Sequence, residues 1–373
     1  MPEASGRDTE FMVRAVAVGE RGRRTAPPNP WVGCVLAKDG DVVGEGVHVR
    51  PGEPHAEVAA LRTAGERARG ATAYVTLEPC AHARRTGPCA EALIDAGVER
   101  VFAAIEDPDQ QVRGRGFARL RAAGVDVVIG VGAHEAGRSL APYLHQRRTG
   151  RSYCLAKVAM SIDGRITAAD GTSTWITGDA SRRDAHELRA DSQAIVVGSG
   201  TALADDPTLT VRGVEPAPAV PLRVLLDGRG RVPAAGPLFD LSLGATLVLT
   251  SDGAGSETVD AWSAAGAKVE VVPRAESGTG LDLKTVLEVL GANDVLQAMV
   301  EGGAAVHGSL QASGLADRFV AYVAPIALGT GGRPVLAWDG PPTLASARRL
   351  VLDSVTRIGD DVRLDYRRPV KVD

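Results

Sequence analysis

Residues 72–97, TAYVTLEPCAHARRTGPCAEALIDAG, decide how the chain is read. The opening TAYVTL is aromatic and β-branched with apolar alternation, which predicts a strand. Residues from about Pro88 to Ala96 are helical in pattern and stop at Gly97, a residue suited to ending a helix. Between strand and helix lies a turn holding two of the chain's four cysteines, Cys80 and Cys89, each directly preceded by a proline. A strand that runs through a thiol-bearing turn into a helix belongs to an α/β architecture.

The flanking sequence repeats this alternation. A helix from about His55 to Arg67 precedes the strand. The strand VERVFAAI follows, then a helix over 117–123 ended by Gly124, the strand VDVVIG, and a helix over 133–146. Nearer the start, Phe11, Met12, Ala15, Val16 and Val18 fall at helical spacing, and WVGCVLAKDGDVVGEGV reads as a hairpin around a KDG turn. After the polar, basic HQRRTGRS a second series of strands begins: YCLAKVAMSIDG, AIVVGSG, LRVLLDG, ATLVLT, KVEVVP, VLQAMVEGG and RFVAYVAP. Two different α/β domains, 1–148 and 149–373, are expected, and no repeat of fixed period is visible.

Composition narrows the function. With 373 residues, 44% apolar and 24% charged, the chain is long enough to bury two cores. A net charge of −4 and 4% aromatic residues argue against a nucleic-acid footprint and favour a small-molecule partner. No basic segment leading into an apolar stretch opens the sequence and no run of 18 apolar residues occurs, so a cytoplasmic location without membrane partners is expected. Four cysteines are too few for a disulfide scaffold, and a close pair in a reducing compartment points to metal or catalysis.

A third ligand is found in EPHAEVAAL (53–61), where His55 and Glu57 open the helix before the TAYVTL strand. Residues two apart do not share a helix face, so the two can serve one site only at the first turn. One imidazole and two thiolates make the three-ligand set of a catalytic zinc, with a position left for water. Glu57, beside the metal without binding it, would take the water's proton and pass it to a leaving amine. The His-x-Glu with Pro-Cys follows the zinc-deaminase pattern, although the second cysteine comes after eight intervening residues instead of two. A structural zinc would need a fourth ligand, for which His82 is the nearby candidate. Cys34 and Cys154, both in apolar strands, read as core residues. His48 is open to either a structural or a substrate-binding role.

Several stretches together resemble the bifunctional riboflavin-biosynthesis deaminase/reductases: PPNPWVGCVL, GEGVHVRPGEPHAE, YVTLEPCAHARRTGPC and DPDQQVRGRG in the first half, then KVAMSIDGRI, STWIT, AIVVGSGTALADDPTLTVR, LRVLLDG and VEGG. They cover nearly the whole chain in the family's order, and the eight-residue cysteine gap is that family's own variant. The resemblance implies a cytidine-deaminase-like three-layer domain followed by a dihydrofolate-reductase-like domain. It implies Zn2+ on His55, Cys80 and Cys89, with Asn29, His48, His82, Arg85 and Asp107 contacting a phosphorylated pyrimidine. In the second half it places NADPH on Ala159, Trp175, Thr201, Asp205 and Gly303, and the sugar phosphate on Ser173, Arg189, Leu209, Arg212 and Glu301. Lys157 and Asp163 fall in a K-x-x-x-S-x-D-G motif whose Asp-Gly also suits a tight turn. The implied reactions are hydrolytic deamination of a diaminopyrimidinone ribosyl phosphate and NADPH reduction of its ribosyl group to ribityl, in a homo-oligomer. The chain departs from the family where Asp109 and Gln110 replace the usual Asn-Pro, putting a carboxylate where it could repel a phosphate. Base deamination on nucleic acid, or a non-catalytic zinc-stabilised binding module, are the competing readings.

Overall fold

Alternation along the first hairpin explains how the N-terminal layers assemble. The computed structural model describes residues 5–81, 87–215, 219–278 and 280–369, in two compact units, Met1–Gly150 and Arg151–Asp373. In the first unit a five-stranded sheet has the order β2 (Asp41–Val47), β1 (Gly33–Lys38), β3 (Thr72–Val75), β4 (Arg100–Ala103), β5 (Asp126–Ile129). β1 is antiparallel to β2 and β3, and β3, β4 and β5 are parallel.

Successive residues of β1 face opposite sides of the sheet. On one side, Val35 and Ala37 join a core with Tyr74, Phe102, Met12, Ala15 and Val18 of α1 (Gly6–Glu20), and Ala136 of α5 (Ala133–Ser139). A Cβ on Gly33 would stand 1.9 Å from the Ala15 carbonyl oxygen, so only glycine admits α1 this closely. On the other side, Gly46 pairs with Cys34, and a Cβ there would stand 2.1 Å from the Ala56 carbonyl oxygen of α2 (Ala56–Ala64). α2 therefore lies directly on β2, which fixes where its N-terminus points. α3 (Cys89–Asp95) and α4 (Arg115–Ala122) follow on from α2.

The single helix expected over 133–146 is two, α5 and α6 (Ala141–Thr149). Pro142 stands in the first turn of α6, where its missing N–H costs nothing but where it cannot continue the preceding helix.

The second unit holds a nine-stranded sheet in the order β10 (Lys268–Val271), β9 (Thr246–Thr250), β8 (Leu222–Leu226), β7 (Ala194–Gly198), β11 (Gln297–Gly302), β6 (Tyr153–Ser161), β12 (Arg318–Ala324), β14 (Asp361–Arg367), β13 (Val351–Ile358). The strands from β10 to β12 are mutually parallel, and β14 and β13 add an antiparallel edge. Its central strands read as continuous apolar runs because both faces are covered. One face packs with α10 (Leu283–Ala292) and α11 (Ala304–Ser313), the other with Trp262 of α9 (Ser256–Ala264) and Ala202 of α8 (Ser199–Asp205). α7 (Asp179–Ala190) contributes Ala185 and Leu188 to a further cluster with Leu155, Met299 and Tyr322. The β13–β14 hairpin was not expected from the sequence. β14 carries charges at alternate positions and much of β13 is exposed, which removes the apolar signal.

Candidate active sites

In the first unit the site forms where β3 ends and two helices begin. His55 is the N-cap of α2, in extended conformation, and Glu57 lies in the helix's first turn, buried at 3% exposure. Cys89 opens α3 and is fully buried, and Cys80 follows β3. His55 Nδ1 lies 3.2 Å from Cys89 Sγ and 3.6 Å from Cys80 Sγ, and the Cys89 amide donates to Cys80 Sγ at 3.4 Å. All three ligand atoms are within 4.8 Å of one another. Tetrahedral zinc with ordinary Zn–S and Zn–N bonds sets neighbouring N and S ligands about 3.6 Å apart, so this donor set fits the ion in spacing and in chemistry. Among the described residues no fourth His, Cys, Asp or Glu joins the group. His82 and Arg85 lie outside the described residues.

Electrostatics at the site follow from burial. Hydrogen bonding from Cys89, with His55 nearby, lowers the Cys80 pKa to about 4, while Cys89 is raised by its sharing with that thiolate and by burial. Burial, and then the Cys80 charge, push Glu57 up to about 7, the range of a group that can both take and give a proton near neutrality. Burial lowers the His48 pKa, which favours the neutral ring. Nδ1 of His48 lies 3.1 Å from the Pro54 carbonyl and donates to it, which leaves Nε2 to accept from Asn29 Nδ2 at 3.0 Å. The His48 and His55 rings meet edge to face at 5.2 Å. Asn29, His48 and His55 are thus brought together.

Asp107, on the loop after β4, is buried and held by the Tyr143 hydroxyl, which donates to both carboxylate oxygens at 3.1 Å. Burial raises its pKa to about 6. Asp109 lies 3.7 Å from Arg147 and accepts from the Gln111 amide, so its charge is partly balanced.

Sequence reasoning missed Glu78, two residues before Cys80. Its buried carboxylate accepts from the backbone amides of Asp107, Gly114, Gly116 and Phe117, at 2.9 to 3.4 Å. It ties the thiol-bearing turn to the loop of Asp107 and to the start of α4. A Cβ on Gly116 would stand 1.8 Å from the Pro79 carbonyl oxygen, so α4 presses directly on the Pro79–Cys80 turn. The position of Glu78 inside LEPC is the only local signal for it.

In the second unit a cavity of about 1200 Å³ opens along the C-terminal ends of the parallel strands, where α/β sheets bind ligands. That volume exceeds the usual single-ligand pocket. Its lining includes Ala159, Ser173, Trp175, Arg189, Thr201, Asp205, Arg212, Glu301 and Gly303, together with Lys157. Gly302–Gly303, a cis peptide, turns β11 into α11, and a Cβ on Gly303 would stand 3.1 Å from Thr201 Oγ1. The narrow turn between these residues is a cradle that fits a dinucleotide phosphate approaching the backbone. Ser173 hydrogen-bonds Asp205, whose pKa burial raises. Trp175 is 71% exposed and carries the Arg182 guanidinium 4.4 Å over its ring, a partner not foreseen from sequence.

Arg189 and Glu301 form a bidentate pair at 2.5 and 2.7 Å, and Arg189 Nη1 also donates to the Thr210 carbonyl. The Arg189 fork is therefore largely engaged, whereas the Arg212 side chain is exposed and its backbone amide donates to His186 Nδ1. Burial alone would raise Glu301, but the Arg189 charge and hydrogen bonds and the Lys157 charge bring it down to about 2.

Leu209 does not line the cavity. At φ +50° and 1% exposure it sits in the apolar cluster of Ile195, Val232 and Trp262. Asp163 is also outside the lining and accepts from the Leu328 and Gly329 amides, a turn-holding role. Cys34 and Cys154 are buried, free and outside the metal group. No helix among the described residues is long and apolar enough to cross a membrane.

Comparison with known proteins agrees in both halves. Residues 5–105 match the family described as the cytidine and deoxycytidylate deaminase zinc-binding region, and 152–364 match the RibD C-terminal domain. The riboflavin biosynthesis protein RibD of Escherichia coli K12 is 42% identical over 370 residues, covering 96% of this chain and 98% of that protein. The solved structure of Acinetobacter baumannii RibD, form 1, is 38% identical with a TM-score of 0.87, covering 98% and 99% of the two chains. A Thermotoga maritima structure titled as a diaminohydroxyphosphoribosylaminopyrimidine deaminase/5-amino-6-(5-phosphoribosylamino)uracil reductase is 28% identical with a TM-score of 0.84, covering 97% and 99%.

Proposed function

We propose residue roles from the premise that the chain belongs to the RibD family, the bifunctional deaminase/reductases of riboflavin biosynthesis. The enzyme has a zinc-binding deaminase region and a reductase domain that takes a nicotinamide cofactor. The first reaction in this reading is hydrolytic removal of an amino group from 2,5-diamino-6-ribosylamino-4(3H)-pyrimidinone 5′-phosphate. The second is reduction of the ribosyl side chain to ribityl by NADPH. The observation that carries the reading is the cluster of His55, Cys80 and Cys89 with the buried Glu57 two residues from the imidazole.

For the deaminase, His55, Cys80 and Cys89 would hold the zinc. When bound, the ion lowers the pKa of a water so that hydroxide is available near neutral pH. Glu57 takes a proton from the attacking water and delivers it to the departing amine. Asn29 gives an amide hydrogen to His48, which leaves its carbonyl oxygen to receive a donor from the pyrimidine edge. Asp107, fixed by Tyr143 on the loop after β4, would join His82 and Arg85 in the substrate contacts that the resemblance implies.

For the reductase, Ala159, Trp175, Thr201, Asp205 and Gly303 would position the cofactor, which supplies a hydride when bound. Arg212, with its exposed guanidinium, receives the substrate phosphate. Arg189 and Glu301 hold one another and present their remaining donor and acceptor sites to the sugar, beside Ser173. Leu209 contributes by shaping the segment from Pro207 to Arg212, not through its buried side chain. A cytoplasmic homo-oligomer belongs to the same proposal, supported by the exposed Val351, Leu352 and Val355 on the edge strand β13.

Two variants separate the sites. Glu57→Ala is expected to keep its zinc and reduce the deaminated substrate normally while releasing ammonia about 10²- to 10⁴-fold more slowly. Asp205→Ala is expected to lose NADPH oxidation with deamination intact. Full ammonia release from the first, or joint loss of both activities in a folded protein, refutes the assignment.

A further inference from the structure

The cavity face of α7 carries a hydrogen-bond donor that the roles proposed above leave unused. Arg182, His186 and Arg189 stand four and then three residues apart, so they share one face of the helix, and all three line the cavity of the second unit. Arg182 lies over Trp175, and Arg189 is engaged by Glu301 and by the Thr210 carbonyl. His186, between them, is half-buried, and its Nδ1 accepts from the Arg212 backbone amide at 3.1 Å.

We infer that His186 is a further contact for the substrate's phosphate, its Nε2–H donating to a phosphate oxygen while its Nδ1 holds the Arg212 segment in place. The inference rests on the proposal that this cavity reduces a sugar phosphate with Arg212 at the phosphate, and it goes further by naming a residue that selects for the phosphorylated substrate.

Three observations carry it. A backbone N–H can only donate, so Nδ1 of His186 is the bare ring nitrogen and the ring's proton sits on Nε2. The surroundings keep it so. Burial, and then the charges of Arg189 and Arg212, lower the His186 pKa to about 4, so at neutral pH the ring is uncharged and has a single N–H. Among the described residues Nε2 has no hydrogen-bond partner, and that donor is available to a ligand in the cavity that the ring lines.

Secondly, the donors at this end of the cavity are too few without it. A phosphate monoester brings close to two negative charges and three acceptor oxygens. The exposed Arg212 guanidinium can grip two of those oxygens as a fork, whereas the Arg189 fork is already taken by Glu301. His186 supplies a donor for the third, and its tie to the Arg212 amide sets the two residues side by side. Thirdly, helix amides cannot take its place. His186 lies beyond the first turn of α7, where amides are spent on hydrogen bonds within the helix, so the contact must come from side chains.

The test compares the deaminated substrate with its dephosphorylated form. On the full chain, kcat/KM for each is measured by NADPH oxidation, for the parent protein, His186→Ala, His186→Gln and His186→Asn. The parent is expected to prefer the phosphorylated form. His186→Ala is expected to reduce that preference about ten- to a hundred-fold, the worth of one hydrogen bond to a charged group. Glutamine can place an N–H near the position of Nε2, and asparagine an acceptor near the position of Nδ1. His186→Gln should therefore keep most of the preference and His186→Asn should lose it. A structural role alone lowers both substrates together and leaves their ratio unchanged, a result that overturns the inference. The reverse order, with asparagine keeping the preference and glutamine losing it, overturns it too, because His186 would then act only through the Arg212 segment. No preference in the parent also overturns it while leaving the reductase reading intact, and failure of the parent to oxidise NADPH with either form overturns both.

Discussion

Replacing Glu301 by glutamine tests how the substrate end of the reductase cavity is held together. Glu301 and Arg189 are 12% and 15% exposed and share two hydrogen bonds, so Glu301→Gln leaves a buried guanidinium without its counter-charge. The Glu301 pKa stands at about 2 against an ordinary 4.5. At about 1.4 kcal/mol per unit, that difference corresponds to about 3 kcal/mol of stability. Removing one partner of a buried pair typically costs about 3 to 5 kcal/mol, so the two routes agree. The sign is that of a depressed carboxyl pKa. Its stabilisation is complete above the unfolded value near 4.5 and is lost as pH falls from there through about 2. The gap between parent and variant should be widest at neutral pH and roughly halved near pH 3. Urea unfolding of the full chain, read in the second unit by hydrogen exchange at the β11 amides, measures it. A variant as stable as the parent at neutral pH, or a gap that does not change with pH, refutes this reasoning.

Two further outcomes follow from the first unit. Removing zinc with a chelator should abolish ammonia release while NADPH oxidation of the deaminated substrate continues, since the two cores are separate; loss of both activities on chelation, with recovery of both on adding zinc, contradicts this. Gly116→Ala should force the Pro79–Cys80 turn to shift, because its Cβ would stand 1.8 Å from the Pro79 carbonyl oxygen. Zinc affinity, measured by competition with a chromophoric chelator, should drop about ten- to a hundred-fold, as for loss of a group that orients a ligand, and an unchanged affinity contradicts the proposed pressure of α4 on the turn.

The parts legible from sequence are those written in local pattern. Both cysteines and the His-x-Glu announce themselves by residue type and spacing, and the structure brings His55, Cys80 and Cys89 together with Glu57 beside them. The strands flanking them read correctly because each is a short apolar run bounded by glycine or polar turns. Long-range partners leave no such trace. Tyr143 is 36 residues from Asp107, and Glu301 is 112 from Arg189, so neither pairing has a local signature. Glu78 is adjacent to a ligand, yet its four amide partners come from residues 29 to 39 positions away. Leu209 is a different case, since its place in a family motif implies a binding role while its side chain is buried in an apolar cluster, which leaves only its backbone for such a role. The carboxylate at Asp109 was expected to trouble a phosphate, but the nearby Arg147 offsets part of its charge.

The central claim is that one chain performs two successive reactions at two sites. Its most direct measurement supplies the phosphorylated diaminopyrimidinone together with NADPH and follows ammonia and NADPH in the same vessel. The account predicts that ammonia appears first and that one NADPH is then consumed for each ammonia released. NADPH consumption without ammonia, or ammonia without any NADPH consumption at completion, would contradict it.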